Sequence, residues 1–361
     1  MRILLIAPTP PPTGGIARWT ETVLNYCEGN DNAELVHINT GNNTESIANR
    51  TIYERFVGSM LRVHFIERKI KEICKKEQIY GAHITTSAGF GLVRDFILVN
   101  YLKKRNIKVV YHLHFGRLAL IKAQNTKEYK LIRKVISLSD AVIAMDPTTY
   151  EAIDFHSNKY FVPNPINEVE FCYSEEHTIA FIGYVIKEKG IAELCKAWKE
   201  IDKMGMDWRL EIIGPYEQHF IDEINSLGLP KSIAFIGELP HDDAMNRLKE
   251  SSILVLPSYS EGFPYSICEA MYAGKAIVGT NVGAIPFLLK DDCGVICDKQ
   301  NEQSLKKALL DLMRNEKIRK KLAFNAAQKA RKTFTVSKVV AQYSDIWRSV
   351  FIEEGKNCNE K

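Results

Sequence analysis

Short apolar runs rich in β-branched residues recur along the chain and alternate with stretches of helical period. In the first half, the runs are Ile3–Ala7, Glu34–Ile38, Ala82–Thr85, Val109–Leu113, Ala141–Ala144 and Tyr160–Val162. The clearest amphipathic helix between them is Arg62–Lys76. Strands separated by helices are typical of parallel sheets wound in βαβ units, so the pattern predicts an α/β fold.

The pattern starts again after Pro163-Asn164-Pro165, where two closely spaced prolines indicate a hinge. The second set of runs is Thr178–Gly183, Leu210–Gly214, Ile233–Gly237, Ile253–Leu256, Ala276–Gly279 and Val295–Cys297. We predict two tandem doubly wound, Rossmann-like domains, residues 1–165 and 166–335. Ligands bind beyond the carboxyl ends of such strands, so we expect the domains to face each other across a cleft.

The end of the chain carries a helical pattern from Lys306 to Phe351. Its last part has an apolar stripe of three- and four-residue spacing, which indicates a packing face. We predict that residues 336–361 form a C-terminal helix that packs back on the first domain, followed by a frayed tail.

Composition favours a globular protein, with 45% hydrophobic and 25% charged residues. No apolar run approaches the ~18 residues of a membrane span, and Ile3–Ala7 is too short for a signal peptide. We therefore expect a cytoplasmic protein, and leave open peripheral attachment to the inner face of the cell membrane.

The cysteines show no CxxC pair and no ligand spacing for zinc. They are Cys27, Cys74, Cys172, Cys195, Cys268, Cys293, Cys297 and Cys358. Reduced and mostly buried thiols are the prediction, with no structural metal.

Charge is distributed unevenly. Residues 1–165 hold 22 Lys and Arg against 15 Asp and Glu, whereas the remainder holds 26 against 29. Two basic clusters are Arg62, Arg68, Lys69, Lys71, Lys75 and Lys76, and Lys103, Lys104, Arg105 and Lys108. They indicate either an anionic membrane surface with a lipid-linked acceptor or a solvated helix face over an ordinary core. No recognition helix or RNA motif is found, so nucleic acid is not an expected partner.

The first strand opens into a proline-rich loop that reaches Gly14-Gly15 and then a helix. Backbone amides at such a turn can approach an anion, although a stiffened loop without a ligand is the alternative. No GxGxxG fingerprint is present, which argues against a nicotinamide enzyme.

His112 and His114 end the strand that begins at Val109, and alternation places both on the same side. One of them is a candidate to donate a hydrogen bond to a phosphate or hydroxyl, and a structural histidine is the alternative. Gly183 ends the first strand of the second domain, and Lys189 follows in a basic loop. Its ammonium would neutralise a leaving diphosphate unless it is simply solvated.

The most specific segment runs from Ser258 to Met271, between an apolar strand and a helix. Glu261 precedes Gly262 and Pro264, and Glu269 follows on the helix. Carboxylates accept two hydrogen bonds at once, which suits vicinal sugar hydroxyls, and the amides of a helix N-terminus suit a phosphate.

These residues resemble family 4 of the GT-B glycosyltransferases over nearly the full chain. Glu261 and Glu269 match its E-x7-E signature, with the flanking EGFP and EAM letters. The other matching segments are Gly14-Gly15, His114, Asn164, Glu188-Lys189-Gly190, Ala273-Gly274-Lys275 and Thr280–Pro286. The resemblance implies a metal-independent transferase that retains anomeric configuration, and the chain has no Asp-x-Asp pair to hold a divalent cation.

The resemblance also implies residue roles. Glu261 would hold hydroxyls of the donor hexose, Glu269 those of the ribose, and Lys189 the diphosphate, while His114 would lie close to the transferred sugar. The remaining implied donor-binding residues are Gly14, Gly15, Gly183, Gly262, Phe263, Pro264, Ser266, Ile267 and, near the hinge, Asn164. Tyr184 departs from the family pattern because it replaces the usual Arg, and Lys187 is the candidate to compensate.

Together these features predict transfer of a hexosyl or N-acetylhexosaminyl unit from a nucleotide sugar, with UDP favoured over GDP, to an acceptor hydroxyl. No cofactor is expected beside that co-substrate. The expected acceptor is a lipid-linked saccharide in bacterial surface polysaccharide assembly. The alternatives are a sugar-nucleotide epimerase of the same fold and a donor-binding scaffold with little turnover.

Overall fold

The structure is a computed structural model that describes residues 1–11, 14–30, 33–41, 52–89 and 91–352, with residues 52–61 described as backbone only. It divides into two compact units, residues 1–165 with 336–361, and residues 166–335. Cys358 lies outside the described residues.

The first unit is built on a parallel sheet whose strand order is β2-β1-β3-β4-β5-β6. Its strands are β1 (Arg2–Ala7), β2 (Glu34–Asn39), β3 (Gly81–Thr86), β4 (Lys108–Leu113), β5 (Ala141–Ala144) and β6 (Lys159–Phe161). Its helices up to this point are α1 (Gly15–Glu28), α2 (Ile52–Lys76), α3 (Gly91–Lys103), α4 (Leu118–Ala123), α5 (Lys127–Leu138) and α6 (Pro147–Ala152). The central strands β3, β4 and β5 are almost wholly buried, as expected for a sheet covered on both faces.

The second unit repeats this plan with the strand order β12-β11-β10-β7-β8-β9. Its strands are β7 (Thr178–Ile182), β8 (Arg209–Ile213), β9 (Ile233–Gly237), β10 (Ile253–Leu256), β11 (Ala276–Thr280) and β12 (Val295–Cys297). Its helices are α7 (Ile191–Asp202), α8 (Gln218–Asn225), α9 (His241–Glu250), α10 (Tyr265–Tyr272), α11 (Ile285–Leu289), α12 (Glu302–Arg314) and α13 (Glu316–Thr333). The predicted α/β architecture with two Rossmann-like sheets is confirmed.

The helical pattern from Lys306 to Phe351 is divided into separate helices. Asn315 ends α12 and caps α13, where its side-chain oxygen accepts from the amide of Ile318. The last helix, α14 (Val336–Phe351), begins directly after Thr335, which forms an isolated parallel bridge with Ile166. The break between α12 and α13 arises because Asn315 favours the start of a new helix. The apolar periodicity of the sequence alone does not reveal this break.

Helix α14 belongs to the first unit although it follows the second in sequence. Its aromatic face is buried: Trp347 donates from its indole to His83 Nδ1 at 2.9 Å, and the hydroxyl of Tyr343 accepts from the indole of Trp19 at 3.0 Å. Phe351 covers Gly81 so closely that a Cβ on that glycine would collide with the ring. The helix is therefore an integral part of the first unit.

Helix α2 begins ten residues before the predicted Arg62. Its described part is amphipathic, with Ile66 and Ile70 fully buried and Phe65 50% exposed. The ammonium of Lys69 lies 4.7 Å from the centroid of the Phe65 ring. Within the described residues, no helix is long and apolar enough to cross a membrane.

Candidate active site

The loop after β10 holds the glutamate that the sequence singles out. Glu261 follows the buried strand, and its side chain is 9% exposed. Its Oε1 accepts from the ammonium of Lys189 at 2.5 Å and from the hydroxyl of Ser258 at 2.6 Å. A charge-assisted pair of this kind, largely removed from water, fixes both side chains in one arrangement. Lys189 is therefore not the solvated lysine of the alternative interpretation.

Sheet topology explains why these two residues meet. Strands β7 and β10 are parallel neighbours, so the loops that follow them leave the same edge of the sheet. The loop after β7 forms a 3-10 turn over Lys187–Lys189 and ends at Gly190, whose φ is +71°. A Cβ at Gly190 would collide with the carbonyl of Pro257, and the amide of Tyr259 donates to the carbonyl of Glu188 at 2.8 Å. The two loops are joined through their backbones.

A third loop, which follows β11, supports the same segment. Gly283 has a φ of +54°, and a Cβ there would collide with the carbonyl oxygens of Glu261 and Gly262. The amide of Ala284 donates to the carbonyl of Gly262 at 2.9 Å. Thr280 donates from its hydroxyl to the carbonyl of Ser258 at 2.6 Å. The backbone that carries Glu261 is thus held from both neighbouring loops.

Helix α10 carries the second glutamate. The helix begins at Tyr265 with Pro264 as its N-cap. Pro264 provides no side-chain cap, and the first turn of a helix leaves amide groups without intrahelical acceptors. The side chains of Phe263 and Ile267 are buried, so an approaching ligand would meet this segment through backbone amides and Ser266.

Glu269 lies on the second turn of α10 with a side chain that is 5% exposed. Its Oε1 is 3.4 Å from Nε2 of His241, the first residue of α9, whose side chain is half exposed. His241 could not be predicted as a neighbour of Glu269, because its loop follows β9 and carries no signature of its own. Ser258 was recognisable from the sequence only as the start of the signature segment.

The opening turn of the second unit is also built by close approach. Gly183 donates its amide to the carbonyl of Ile213 at 3.0 Å, and a Cβ on Gly214 would collide with the carbonyl of Gly183. Tyr184, which replaces the usual arginine, is 54% exposed. Lys187, three residues further along the same turn, is exposed as well. The turn therefore still carries a cation, although Tyr184 occupies the position at which the resembled family has an arginine.

Two further residues of the matched motifs have structural roles. Lys275 is fully buried, and its ammonium donates to the carbonyls of Cys172 at 2.5 Å and Lys249 at 2.6 Å. Burial lowers the pKa of Lys275 to about 8. Gly274 has a φ of +71°, and a Cβ there would collide with the ring of Phe171. These residues anchor the polypeptide that enters the second unit.

The first unit holds the remaining predicted residues. Gly15 is the first residue of α1, and Gly14 has an extended φ of 177° with no atom within 4 Å of the place that a Cβ would occupy. Asn164 is 2% exposed; its Nδ2 lies 3.7 Å from the sulfur of Met145, and its buried Oδ1 has no hydrogen-bond partner in the described part of the chain.

His112 and His114 contact each other, as their placement on one side of β4 predicts. Nε2 of His114 lies 3.1 Å from Nδ1 of His112, and Nδ1 of His112 lies 3.2 Å from Nε2 of His83. Burial lowers the pKa of His83 and of His114 to about 3, and lowers that of His112 as well. All three imidazoles are therefore neutral near pH 7.

The structure thus brings Lys189, Ser258 and Glu261 into direct contact and places Glu269 on the helix that follows their loop. Gly14, Gly15, His114 and Asn164 lie in the other compact unit. Among the residues that the structure describes, no group of three or more His, Cys, Asp or Glu side chains is placed to hold a metal ion.

Comparison with known proteins finds similarity to glycosyltransferases, and the family match lies in the second unit. Residues 165–329 match the family model described as Glycosyl transferases group 1. An uncharacterized glycosyltransferase of Methanocaldococcus jannaschii is 26% identical over 288 residues, which are 73% of this chain and 79% of that protein. The capsular polysaccharide biosynthesis glycosyltransferase CapM of Staphylococcus aureus is 23% identical over 243 residues, which are 66% of this chain and 63% of CapM.

Among solved structures, the complex of Anabaena Alr3699/HepE with UDP-glucose is similar with a TM-score of 0.73. The superposition covers 97% of this chain and 100% of that one at 16% identity, and it shows that the two share a fold.

We expect that Gly283→Ala lowers the free energy of unfolding by at least ~1 kcal/mol more than Gly205→Ala does. Both glycines have a positive φ, of +54° and +67°, so both variants carry the strain of a left-handed alanine. Only the methyl group at position 283 would collide with the loop that carries Glu261, since nothing lies within 4 Å of a Cβ at position 205. Urea unfolding of the two variants measures the difference, and equal losses would show that the loop has room to move.

Proposed function

We propose that this chain, whose residues 165–329 match the group 1 family, is a GT-B glycosyltransferase that transfers a hexosyl or N-acetylhexosaminyl unit from a UDP sugar to an acceptor hydroxyl with retention of configuration. The observation that carries the proposal is the contact of Glu261 with Lys189 and Ser258 within the matched segment. We further propose that the enzyme belongs to family 4, whose E-x7-E signature Glu261 and Glu269 match.

The proposed donor site is assembled at the edge of the second sheet. Lys189 contacts the diphosphate, and Glu261 accepts hydrogen bonds from hydroxyls of the hexose. In the absence of the nucleotide sugar, the charges of Lys189 and Glu261 neutralise each other. A diphosphate draws the ammonium toward itself, and sugar hydroxyls then replace the ammonium as donors to the carboxylate. The exchange keeps both partly buried charges compensated in each state, which limits the desolvation cost of binding.

The start of α10 completes this proposed site. Gly262 has no side chain, and amides of the first helical turn favour the negative charge of phosphate. Glu269 accepts from the hydroxyls of the ribose, and its neighbour His241 lies at the edge of that contact. Lys189 together with these amides offsets the charge of the leaving diphosphate, so we propose that transfer proceeds without a metal ion.

In the proposed reaction, the acceptor hydroxyl approaches the face of the sugar from which the nucleotide departs. The bond between C1 and the phosphate oxygen breaks, the bond between C1 and the acceptor oxygen forms, and the acceptor proton passes to the departing phosphate oxygen. The sugar carries positive charge in the transition state. The protein contributes position and charge stabilisation, since this step needs no covalent bond to a side chain.

The comparisons support the donor and the setting without fixing either. HepE has been solved with UDP-glucose, and CapM is named for capsular polysaccharide biosynthesis. We propose by analogy that UDP carries the donor sugar here and that the product enters a bacterial surface polysaccharide.

We propose a lipid-linked acceptor and attachment of the first unit to an anionic membrane surface. The outer face of α2 carries exposed cations and Phe65, while Ile66 and Ile70 fill the core beneath. Exposed cations gain free energy near anionic headgroups, and an aromatic ring adds apolar contact at the interface. Those cations are Arg68, Lys69, Lys71, Lys75 and Lys76.

A panel of UDP, GDP and ADP sugars tests the proposed function. We expect one UDP sugar to raise the melting temperature and to be transferred or slowly hydrolysed, with the same rate after treatment with EDTA. Interconversion of the nucleotide sugar without transfer would instead identify an epimerase. Tight binding without any chemical change would identify a scaffold.

Glu261→Ala should lower kcat by ~10²–10³, as removal of one preorganised contact does in other active sites. Glu223→Ala, on the exposed face of α8, is the matched control and should leave kcat unchanged. Initial rates at saturating donor measure both. Turnover by Glu261→Ala within a factor of a few of the parent would remove Glu261 from its assigned role.

Co-sedimentation with vesicles tests the membrane proposal. The protein should bind vesicles that contain phosphatidylserine in 0.1 M salt and dissociate in 1 M salt, where the Debye length falls from ~10 Å to ~3 Å. Replacing Lys75 and Lys76 together by Glu should weaken binding, whereas neutral vesicles should bind little protein. Binding that is insensitive to both salt and charge reversal would contradict an electrostatic attachment.

A further inference from the structure

A cluster of buried rings surrounds Trp19 in the first unit. Its indole lies 5.4, 5.2 and 5.0 Å from the ring centroids of His83, His112 and His114, respectively. Helix α14 adds two further rings, Tyr343 and Trp347. The role that the family resemblance implies for His114 leaves the other five rings without an assigned function.

The chain of hydrogen bonds through this cluster has a fixed starting point. The indole of Trp347 donates to His83 Nδ1 at 2.9 Å, and an indole nitrogen can only donate. His83 Nδ1 is therefore an acceptor without a proton. Burial lowers the pKa of His83 to about 3, so the imidazole is neutral and its single proton is on Nε2.

The second link follows from the first. Nε2 of His83 donates across 3.2 Å to Nδ1 of His112, which must be the bare nitrogen. The proton of neutral His112 is consequently on Nε2, a buried atom that has no hydrogen-bond partner within the described residues. The N–H of His83 imposes this tautomer on His112. Without that neighbour, His112 would favour the tautomer whose N–H has a hydrogen-bond partner, so the influence of His83 explains the unsatisfied donor.

The third link reaches His114. Its Nε2 lies 3.1 Å from the same Nδ1 of His112. Two bare nitrogens at that distance would repel each other, so Nε2 of His114 carries the proton and shares the single lone pair of His112 Nδ1 with the N–H of His83. Nδ1 is then a bare acceptor, and His114, which directly follows β4, is 9% exposed.

We propose that Trp347 is a positioning residue that acts through His83 and His112 to hold His114 in its Nε2–H tautomer, so that Nδ1 accepts a hydrogen bond from a saccharide hydroxyl. The inference rests on the proposed function and on the role that the family resemblance implies for His114, which is to lie close to the transferred sugar. It reverses the sequence-based expectation of a histidine that donates to phosphate or hydroxyl. A bare nitrogen also repels anionic oxygens, which makes the position selective for hydroxyl groups.

Nitrogen-15 NMR of histidine-labelled protein without ligand tests the tautomer directly, because the chemical shift of each ring nitrogen distinguishes its bare and protonated forms. A variant His114→Phe assigns the His114 signals. We expect Nε2 protonated and Nδ1 bare between pH 6 and pH 8, without titration. A protonated Nδ1, or titration in that range, would overturn the proposal without any variant.

Trp347→Phe keeps an aromatic ring but removes the donor that starts the chain. We expect His83 and His114 to become mixtures of the two tautomers. Trp198→Phe is the matched control, since Trp198 is equally buried in the second unit and donates to the Ser232 hydroxyl at 3.0 Å. It should leave every signal of the cluster in place. Unchanged His114 shifts in a folded Trp347→Phe protein would refute the relay.

A measurement of activity separates this inference from the proposed function. Trp347→Phe should lower kcat/KM for the nucleotide sugar about tenfold, as the loss of one oriented hydrogen bond does. Trp198→Phe should not lower it. A shifted tautomer with unchanged kcat/KM would contradict the role given to Nδ1. Absence of transfer by the parent protein would contradict the proposed function, whereas the tautomer measurement would stand.

Discussion

The partly buried ion pair of Lys189 and Glu261 is the interaction on which the loops at one edge of the second sheet converge. Shielding two charges from water costs free energy, and their attraction offsets that cost only when both partners are held in good geometry. Three loops at one sheet edge provide that geometry by backbone contact, with glycine at Gly190 and Gly283 where a methyl group would not fit. Precise placement of one side-chain pair therefore explains glycines that lie in different loops.

In the first unit, the polar side chains that are held in place are neutral imidazoles. Its three buried histidines are uncharged, and hydrogen bonds rather than ion pairs determine which nitrogen carries each proton. The indole of Trp347 on α14 determines these tautomers, because an indole nitrogen can only donate a hydrogen bond. The two units thus place polar groups at strand ends by different means, charge compensation in one and tautomer selection in the other.

Much of the fold could be predicted from the chain. Each of the twelve predicted apolar runs is a strand, with ends that differ by at most one residue, because buried parallel strands are continuous apolar segments. The Glu261 loop was also recognisable, since its letters are contiguous. The contact of Lys189 with Glu261 joins residues 72 positions apart, and the bond of Trp347 to His83 joins residues 264 apart. Such contacts depend on strand order and helix packing, which local patterns do not encode. The division between α12 and α13 depended on a single capping asparagine, which the apolar periodicity does not reveal.

Helix α14 has a consequence for how the protein is made. A ribosome releases the chain from its N-terminus, yet the core of the first unit requires Tyr343, Trp347 and Phe351, which follow the whole of the second unit in sequence. Residues 166–335 are contiguous, so that unit can complete its core during synthesis. The first unit must wait, with Trp19, His83 and the surface around Gly81 uncovered, until α14 has been synthesised. A product truncated before α14 would keep that apolar surface exposed.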